Sequence, residues 1–296
     1  MELRVLNYFL VVAREENFTR AAKKLHLSQP TLSRQLRDLE EEYGKQLLIR
    51  GARHVSLTKD GMLLRKRAEE ILSLVKKTES ELLSKENNLS GDIRIGAAES
   101  KNFQLVMQVA AKLKKQRPAI NFHIITGDGS SNLYLLERGL IDFAYDYGKH
   151  DPGKYQEITL PVHDNWGLLL RADTELAAKD TITAEDLWKQ PLLISRQVLL
   201  DKTHGEALLQ WLRKPFDELN IVGSYNLLFN ASLMVETGIG CALAFADIIN
   251  TANSNLCFRP LKPTVSAQPN IFWKRSHFFS QASYKFLELL KEEFPS

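Results

Sequence analysis

The sequence has few of the features that mark membrane-embedded or metal-binding proteins. Its longest apolar stretch, about residues 239–246, is far shorter than the ~20 residues that a membrane-spanning helix needs. Only two cysteines occur, Cys241 and Cys257, and neither has a nearby Cys or His at metal-ligand spacing. We therefore expect two reduced thiols, no metal or other cofactor, and no membrane partner.

An export leader and the common catalytic motifs are also missing. Residues 1–4 lead directly into an amphipathic pattern, without the basic-then-apolar order of an export signal, so we expect a cytoplasmic protein. No Gly-x-Ser-x-Gly elbow, phosphate loop or His-Glu-x-x-His motif occurs, and Gly238-Ile-Gly240 is only a fragment of a dinucleotide-binding loop. An enzyme is therefore the weaker hypothesis, and the missing leader also disfavours a solute-binding protein.

The length limits the expected number of domains, and the overall charge indicates no particular partner. At roughly 150 residues per domain, a chain of 296 residues is expected to form about two domains. The 39 Lys and Arg residues stand against 36 Asp and Glu residues, a formal net charge of +3. Any signal for binding nucleic acid must therefore be local.

Apolar spacing in the N-terminal region predicts three helices. The first ends near Asn17, and a short second helix, for which Thr19 is the expected cap, follows at once. The third begins at the cap Ser28, carries Pro30 in its first turn and ends near Gly44. Its buried face is a stripe of apolar residues: Leu32, Leu36, Leu39 and Tyr43. The last two helices meet across a turn of about three residues, which is the helix-turn-helix spacing.

Local charge supports DNA binding by these two helices. Residues 18–37 contain five basic residues and no acidic one, whereas a solvated helix face normally mixes both signs. We expect the cations of the second helix to contact phosphates: Arg20, Lys23 and Lys24. The polar face of the third helix supplies the candidates for contacts with base edges: Gln29, Thr31, Ser33, Arg34 and Arg37.

Two short strands are predicted after the third helix, at residues 46–50 and 55–58, around a turn at residues 51–54. They form a wing. Arg53, near the tip of this wing, is placed to reach the neighbouring minor groove or a phosphate.

Residues 18–40 (FTRAAKKLHLSQPTLSRQLRDLE) and 55–61 (VSLTKDG) closely resemble the DNA-binding domain of LysR-type transcriptional regulators. The resemblance implies a sequence-specific regulator that binds double-stranded promoter or operator DNA and responds to a small-molecule effector. In that family, the residues that match Gln29, Pro30, Ser33, Arg34 and Arg53 approach DNA. One departure, Leu-Leu-Ile-Arg at residues 47–50 in place of a Leu-Phe-x-Arg pattern, keeps the apolar character.

A long linker helix is predicted from the cap Thr58 to about Glu86, followed by a polar hinge at residues 85–91. Apolar positions recur along it with the spacing of a coiled coil: Leu64, Ala68, Ile71, Val75, Thr78 and Leu82. We favour a helix that pairs with a second copy, and the alternative is an amphipathic helix packed on its own domain. The resemblance implies a homodimer, commonly assembled as a dimer of dimers, that is, a homotetramer.

The remaining two hundred residues alternate between strand and helix patterns, which predicts parallel sheets covered by helices. The resemblance specifies a two-lobed, periplasmic-binding-protein-like α/β effector domain, with chain crossings near Pro161 and near residues 264–267. The expected division is therefore a winged helix-turn-helix at 1–58, a linker helix at 59–88 and an effector domain at 89–296. Within it, lobe 1 would comprise about 91–161 and 266–296, and lobe 2 about 162–265.

Ligands of such folds bind at the carboxyl ends of strands, which selects a set of candidate effector contacts: Ser100, Ser130, Tyr147, Ser195 and Arg196. The resemblance adds that a Ser or Thr at the position of Ser100 usually touches the effector. Arg196 is able to pair with a carboxylate, whereas Asp128 and Asp146, with tyrosines nearby, suit a less anionic pocket. Each candidate has an alternative role as a helix cap or a surface polar group.

Overall fold

The structure, a computed structural model, describes residues 2–51, 54–83, 89–200 and 202–295. The chain divides into two compact units, Met1–Leu83 (unit 1) and Ser84–Ser296 (unit 2). Over the described residues, no helix is both long enough and apolar enough to cross a bilayer.

Unit 1 is a winged helix-turn-helix extended by a long helix. Its helices are α1 (Leu3–Glu15), α2 (Phe18–Lys24), α3 (Gln29–Tyr43) and α4 (Lys59–Leu83). The wing consists of the antiparallel strands β1 (Leu48–Arg50) and β2 (Val55–Leu57). Side chains from α1, α3 and β1 meet in one core, where Phe9, Leu32, Leu36 and Leu48 are almost fully buried.

The helix caps follow the prediction for α3 but not for α2. Ser28 caps α3, because its side chain accepts a hydrogen bond from the Thr31 backbone N–H, and Gly44 ends the helix in the left-handed conformation. Asn17, not Thr19, caps α2: its backbone is extended and its side chain accepts from the Arg20 N–H, whereas Thr19 already lies inside the helix. The predicted stripe is also wrong at its end, since Tyr43, in the last turn, is 49% exposed.

The first half of α4 packs against the core of unit 1, which corrects part of the predicted coiled-coil stripe. Ala68 is fully buried and Leu64 packs against the unit 1 core, so the alternative of packing on its own domain holds at these positions. Met62, Leu63 and Leu74 are instead exposed by 61%, 57% and 47%. The expected end of the helix near Glu86 and most of the hinge lie outside the described residues.

Unit 2 contains two sheets covered by helices. Its strands in chain order are β3 (Gly91–Ala97), β4 (Ile120–Thr126), β5 (Phe143–Asp146), β6 (Tyr155–Thr159), β7 (Asp164–Arg171), β8 (Leu192–Ser195), β9 (Ile221–Tyr225), β10 (Cys241–Phe245), β11 (Leu256–Pro260), β12 (Ser266–Ala267) and β13 (Asn270–Lys274). Its helices are α5 (Gln104–Gln116), α6 (Gly129–Glu137), α7 (Ala184–Leu187), α8 (Arg196–Leu200), α9 (Lys202–Leu212), α10 (Leu228–Glu236) and α11 (Gln281–Glu293).

Each sheet is the centre of one lobe. The lobe 1 sheet has the order β4-β3-β5-β13-β6, with β3 parallel to both of its neighbours and β13 antiparallel to both of its own. The lobe 2 sheet has the order β11-β7-β10-β8-β9, and β12 pairs with β7. The chain therefore enters lobe 2 between Thr159 and Asp164 and returns between Ala267 and Asn270. The pairing of Ser266 and Ala267 with β7 extends the lobe 2 sheet slightly beyond the expected crossing.

The two cysteines lie on strands on either side of β7. Cys257 of β11 pairs with Leu170, and the register of β10 places Cys241 opposite the same residue. Their Cα atoms are thus two strand spacings apart, about 9–10 Å, which is too far for a disulfide. Burial raises the pKa of the Cys241 thiol to about 12. Both cysteines are free thiols, and Cys241 has the low reactivity of a buried, protonated one.

Candidate DNA-binding surface and ligand cleft

The α3 surface is the set of polar side chains opposite the buried leucines of that helix. Leu32, Leu36 and Leu39 hold α3 against the core, so the predicted reading residues turn outwards and are exposed: Gln29, Pro30, Thr31, Arg34 and Arg37. The structure thus brings these candidates onto one face.

The two arginines of this face have little to restrain them. The Arg34 guanidinium is 83% exposed and lies 4.0 Å from the Asp38 carboxylate, a contact too long and too exposed to hold it firmly. Arg37, also exposed, makes no ion pair or side-chain hydrogen bond within the described part of the chain. Both guanidinium groups are therefore available for a duplex.

Ser33 differs from its neighbours because it also holds the wing. Its hydroxyl accepts a hydrogen bond from Arg50 Nη1 at 3.1 Å, while Arg50 Nη2 donates to Glu40 Oε2 at 2.7 Å. The other Glu40 oxygen accepts from the backbone N–H groups of Leu47 and Leu48 at 2.8 and 2.9 Å. Sequence reasoning missed Glu40 and Arg50, although both lie within or beside the segments that carry the family resemblance.

The basic residues of α2 have an acidic neighbour in the structure, although none occurs among residues 18–37. Glu15 of α1 accepts from Lys24 Nζ at 2.6 Å and lies 3.9 Å from Arg20 Nε. The Lys24 hydrogen bond lowers the pKa of the Glu15 carboxyl. The basic run of residues 18–37 therefore has an acidic neighbour from α1 in three dimensions, although both cations remain more than 60% exposed and open to phosphates. Lys23 is exposed, and Arg53 lies outside the described residues.

A cavity of about 340 Å³ opens between the two lobes of unit 2, at the carboxyl ends of their parallel strands. This cleft is at the lower end of the volumes usual for small-molecule sites. Lobe 1 lines it with Glu99, Asp128, Tyr147 and Lys149, among others. The residues from lobe 2 include Trp166, Ser195, Gln197, Glu206, Tyr225 and Phe245.

Two of the five candidate effector contacts, Tyr147 and Ser195, line this cleft, and three do not. Ser130 donates its hydroxyl hydrogen bond to Asp128 Oδ1 at 3.1 Å. The Arg196 side chain is exposed to solvent, and its positive charge helps to lower the pKa of Asp128. Ser100 lies beneath the cleft, where its hydroxyl group is hydrogen-bonded to Asp164 and Tyr145.

A polar network centred on Asp164 joins the lobes beneath the cleft. Ser100 donates to Asp164 Oδ2 at 3.0 Å and accepts from the Tyr145 hydroxyl, while the Tyr147 hydroxyl donates to the same Asp164 oxygen at 2.9 Å. Burial is the main cause that raises the pKa of both tyrosines, so they stay protonated and act as donors. Asp164 is only 4% exposed, and within the described residues it accepts hydrogen bonds from hydroxyl groups and pairs with no cation.

Two further hydrogen bonds cross the cleft and were not predicted. The Gly129 N–H, at the start of α6, donates to Gln197 Oε1 at 3.1 Å. The Leu228 N–H, at the start of α10, donates to Glu99 Oε2. Each bond links one lobe to a helix end or loop of the other. The sequence signal for Glu99 and Gln197 was their position next to the candidates Ser100 and Arg196. In the described ranges, no group of three or more Asp, Glu, His and Cys is arranged to hold a metal ion.

Comparisons with known proteins agree with this architecture. Residues 3–62 match the family model for the bacterial regulatory helix-turn-helix protein, lysR family, and residues 86–295 match the LysR substrate binding domain. The chain is 27% identical to the HTH-type transcriptional regulator BsdA of Bacillus subtilis (strain 168), over 98% of this chain and 100% of that protein. It is 28% identical to the Hca operon transcriptional activator HcaR of Escherichia coli (strain K12), over 100% and 99% of the two chains.

The fold is also that of solved members of the same group. The crystal structure of full-length CbnR complexed with its target DNA superposes with a TM-score of 0.77 at 18% identity, covering 99% of this chain and 100% of that one. Both family models together span nearly all of the chain, and the curated relatives are transcriptional regulators rather than enzymes. The protein therefore belongs to the LysR family: it is a DNA-binding transcriptional regulator with an effector-binding domain.

Proposed function

We propose that the α3 surface reads base edges in the major groove. Gln29 and Arg34 would supply the hydrogen bonds suited to adenine and guanine edges, and Thr31 would add a hydroxyl contact. Pro30 lies in the first turn of α3, where its ring meets the groove without removing a needed donor. The exposed Arg34 guanidinium, without a firm partner in the protein, is the observation that carries this assignment.

The remaining cations would position the duplex. Arg37 lies one turn further along α3, and Arg20 and Lys24 lie on the neighbouring helix, so together they would contact phosphates on either side of the groove. Arg53 of the wing is assigned the flanking contact on sequence alone. Ser33 would serve mainly to hold Arg50, and hence the wing, against α3.

We infer that the chain acts as a homodimer, because one winged helix-turn-helix reads only one half-site. Two such dimers would assemble into the dimer of dimers that is usual in the family. Met62, Leu63 and Leu74 are the exposed apolar residues of α4 that support pairing through this helix. The functional division into 1–58, 59–88 and 89–296 follows this scheme, with residues 59–88 as the pairing element. Such a regulator acts on the chromosome in the cytoplasm and performs no catalysis.

The cleft of unit 2 is the proposed effector site. Tyr147 and Ser195 line it and would contact the ligand directly. Ser100, Ser130 and Arg196 would act through the carboxylates they touch or influence, Asp164 and Asp128. Because these carboxylates lie between the lobes, a ligand that binds there would alter the hydrogen bonds that join the lobes.

Selection of duplexes from a random DNA pool by the full chain tests the proposal. We expect enrichment of paired half-sites whose centres lie one helical turn, about 34–36 Å, or a multiple of it apart. A single enriched half-site would contradict the dimer, and a pool that stays random would contradict base reading by α3. The same selection with Arg34→Ala identifies which base pair that side chain reads.

A further inference from the structure

We propose that the cleft of unit 2 accepts a small organic cation, an amine or quaternary ammonium group attached to an apolar body, rather than a carboxylate. The inference rests on the proposed function to the extent that the cleft is the effector site. It is carried by three observations: the backbone donors around the cleft, its charges and its aromatic rings.

The backbone donors that would bind an anion are already satisfied by the protein. In α/β folds, anions bind the free N–H groups at helix N-termini beside the strand ends. Here the Ser131 N–H donates to Asp128, the Gly129 N–H to Gln197 and the Leu228 N–H to Glu99. A carboxylate ligand would have to displace two side-chain carboxylates of the protein from these positions.

The charged side chains that line the cleft are mostly negative. Glu99, Asp128 and Glu206 line it, and Lys149 is the cation among its lining residues. Asp164 lies just beneath Tyr147, is almost fully buried, and receives hydrogen bonds from hydroxyl groups without a paired cation in the described residues. Such a buried carboxylate favours a positive charge nearby, because little water is present to screen the attraction.

Aromatic rings from both lobes form the apolar wall of the cleft. The Phe245 ring lies 4.5 Å from the Tyr147 ring and 4.3 Å from the Trp166 ring, centroid to centroid. Faces of such rings attract ammonium groups and also pack against apolar ones. Carboxylates beside aromatic faces therefore match a ligand that carries a cation on an apolar body, and the cavity volume suits one with a single ring.

A matched set of probes tests the charge of the ligand. Benzylamine, benzyltrimethylammonium, benzyl alcohol and benzoate share one ring and differ in charge, and calorimetric titration of the full chain measures their binding. We expect at least one of the two cations to bind at least tenfold more tightly than benzoate, with the alcohol between them. Benzoate binding as tightly as the cations, or no measurable binding of either cation, would overturn the proposal.

Charge-removing variants identify the groups responsible. Glu99→Gln and Asp128→Asn keep an oxygen to accept the same backbone hydrogen bonds, so the link from Glu99 to Leu228 and the cap of α6 should persist while the negative charge is lost. We expect each to weaken binding of the cations about tenfold and to narrow the difference from benzoate. Asp217→Asn is the control, since it removes the same charge from an exposed position outside the cleft. An equal effect of all three variants would show that only overall charge matters and would overturn the proposal.

DNA binding, measured on the same preparations, separates this inference from the proposed function. A protein that selects DNA sequences but prefers benzoate would contradict the cationic ligand alone. A protein that binds the cations but selects no DNA would contradict the assignment of α3.

Discussion

The α3 surface and the cleft of unit 2 present their polar groups in opposite ways. On α3, the side chains that face solvent have few partners, and Arg34 is 83% exposed. In the cleft, side-chain oxygens already accept hydrogen bonds from backbone donors, as the Glu99 carboxylate does from Leu228 and the Gln197 amide from Gly129. The first region is prepared to gain contacts on binding, whereas the second must exchange existing contacts for new ones.

This difference accounts for the separate tasks of the two regions. A rigid face whose donors are free can bind a duplex without rearranging, so its specificity depends on side-chain identity. A cleft bridged by its own hydrogen bonds responds to a ligand only as far as the ligand binds one arrangement of the lobes better than another. Recognition is therefore expected to reside in unit 1 and switching in unit 2.

The largest effect is expected for Leu36→Ala, which tests whether the α3 surface depends on the hydrophobic core of unit 1. Leu36→Ala should destabilise unit 1 by about 2–5 kcal/mol, because the fully buried leucine leaves a cavity behind α3. All four tryptophans lie in unit 2, so their fluorescence reports that unit alone. We expect an earlier loss of helical circular dichroism with an unchanged tryptophan transition. Tyr43→Ala, at an exposed position of the same helix, is the control and should cost less than about 1 kcal/mol.

Arg34→Ala tests whether exposure on α3 reflects a reading role. The substitution should weaken binding to the selected duplex by about 1–3 kcal/mol and relax the preference at one base pair. Fluorescence anisotropy on selected and scrambled duplexes measures both effects. An equal loss on the two duplexes would assign Arg34 to phosphate binding instead.

Ser100→Ala tests the contrasting arrangement in the cleft. Removal of the hydroxyl that joins Tyr145 to Asp164 should destabilise unit 2 by about 1–2 kcal/mol, because both groups lose a hydrogen bond in a buried site. Tryptophan fluorescence during denaturation follows this change, and affinity for the selected duplex should stay the same. A larger loss of stability for Ser130→Ala, whose hydroxyl donates to Asp128 at 3.1 Å, would contradict the importance of the Asp164 network.

Lys24→Ala asks whether pairing with Glu15 removes that cation from DNA binding. If Lys24 contacts a phosphate, affinity should fall on every sequence, and the dependence of log K on log salt should flatten by about one unit. An unchanged slope would mean that the Glu15 ion pair is the main role of Lys24. Glu15→Gln is the matched variant, because it keeps the side-chain shape and frees the cation.

The smallest effect concerns the pH response of the cleft without ligand. Hydrogen bonds from Ser130 and Ser131 outweigh burial and lower the pKa of Asp128 in the folded protein. Ionised Asp128 therefore stabilises the fold at neutral pH, and this contribution is lost as the pH falls below about 4 through the lowered pKa. Asp128→Asn, which still caps α6, should cost less than about 1 kcal/mol at pH 7 and nothing in acid. A difference that stays constant with pH would contradict the role of the charge.

Local patterns predicted the α3 surface well because neighbouring residues alone determine it. Ser28, Pro30 and the leucine spacing define the start and the buried face of the helix, and the exposed face follows. The same reasoning placed the α2 cap at Thr19, whereas Asn17, two positions earlier and also a residue type that caps helices, is the cap. Strands β6, β9 and β11 are short and of mixed polarity, without a clear alternation, so the sequence pattern alone does not indicate them.

The cleft was predicted only in part because distant segments assemble it. Glu99 and Leu228 are 129 residues apart, Gly129 and Gln197 are 68 apart, and Ser100 and Asp164 are 64 apart. Strand ends selected the correct edge of each sheet but not which side chain at that edge points into the cavity. Arg196 and Gln197 illustrate the limit, because adjacent residues turn to solvent and to the cleft respectively.

The Glu40–Arg50–Ser33 contact has a consequence for the DNA site itself. Because Glu40 binds the backbone of the wing and Arg50 binds α3, the wing and the reading helix form one rigid piece. The distance between α3 and the strands of the wing is then a constant of the protein. Operators whose local groove geometry does not match that distance must bend to fit, so base pairs that no side chain touches also influence affinity.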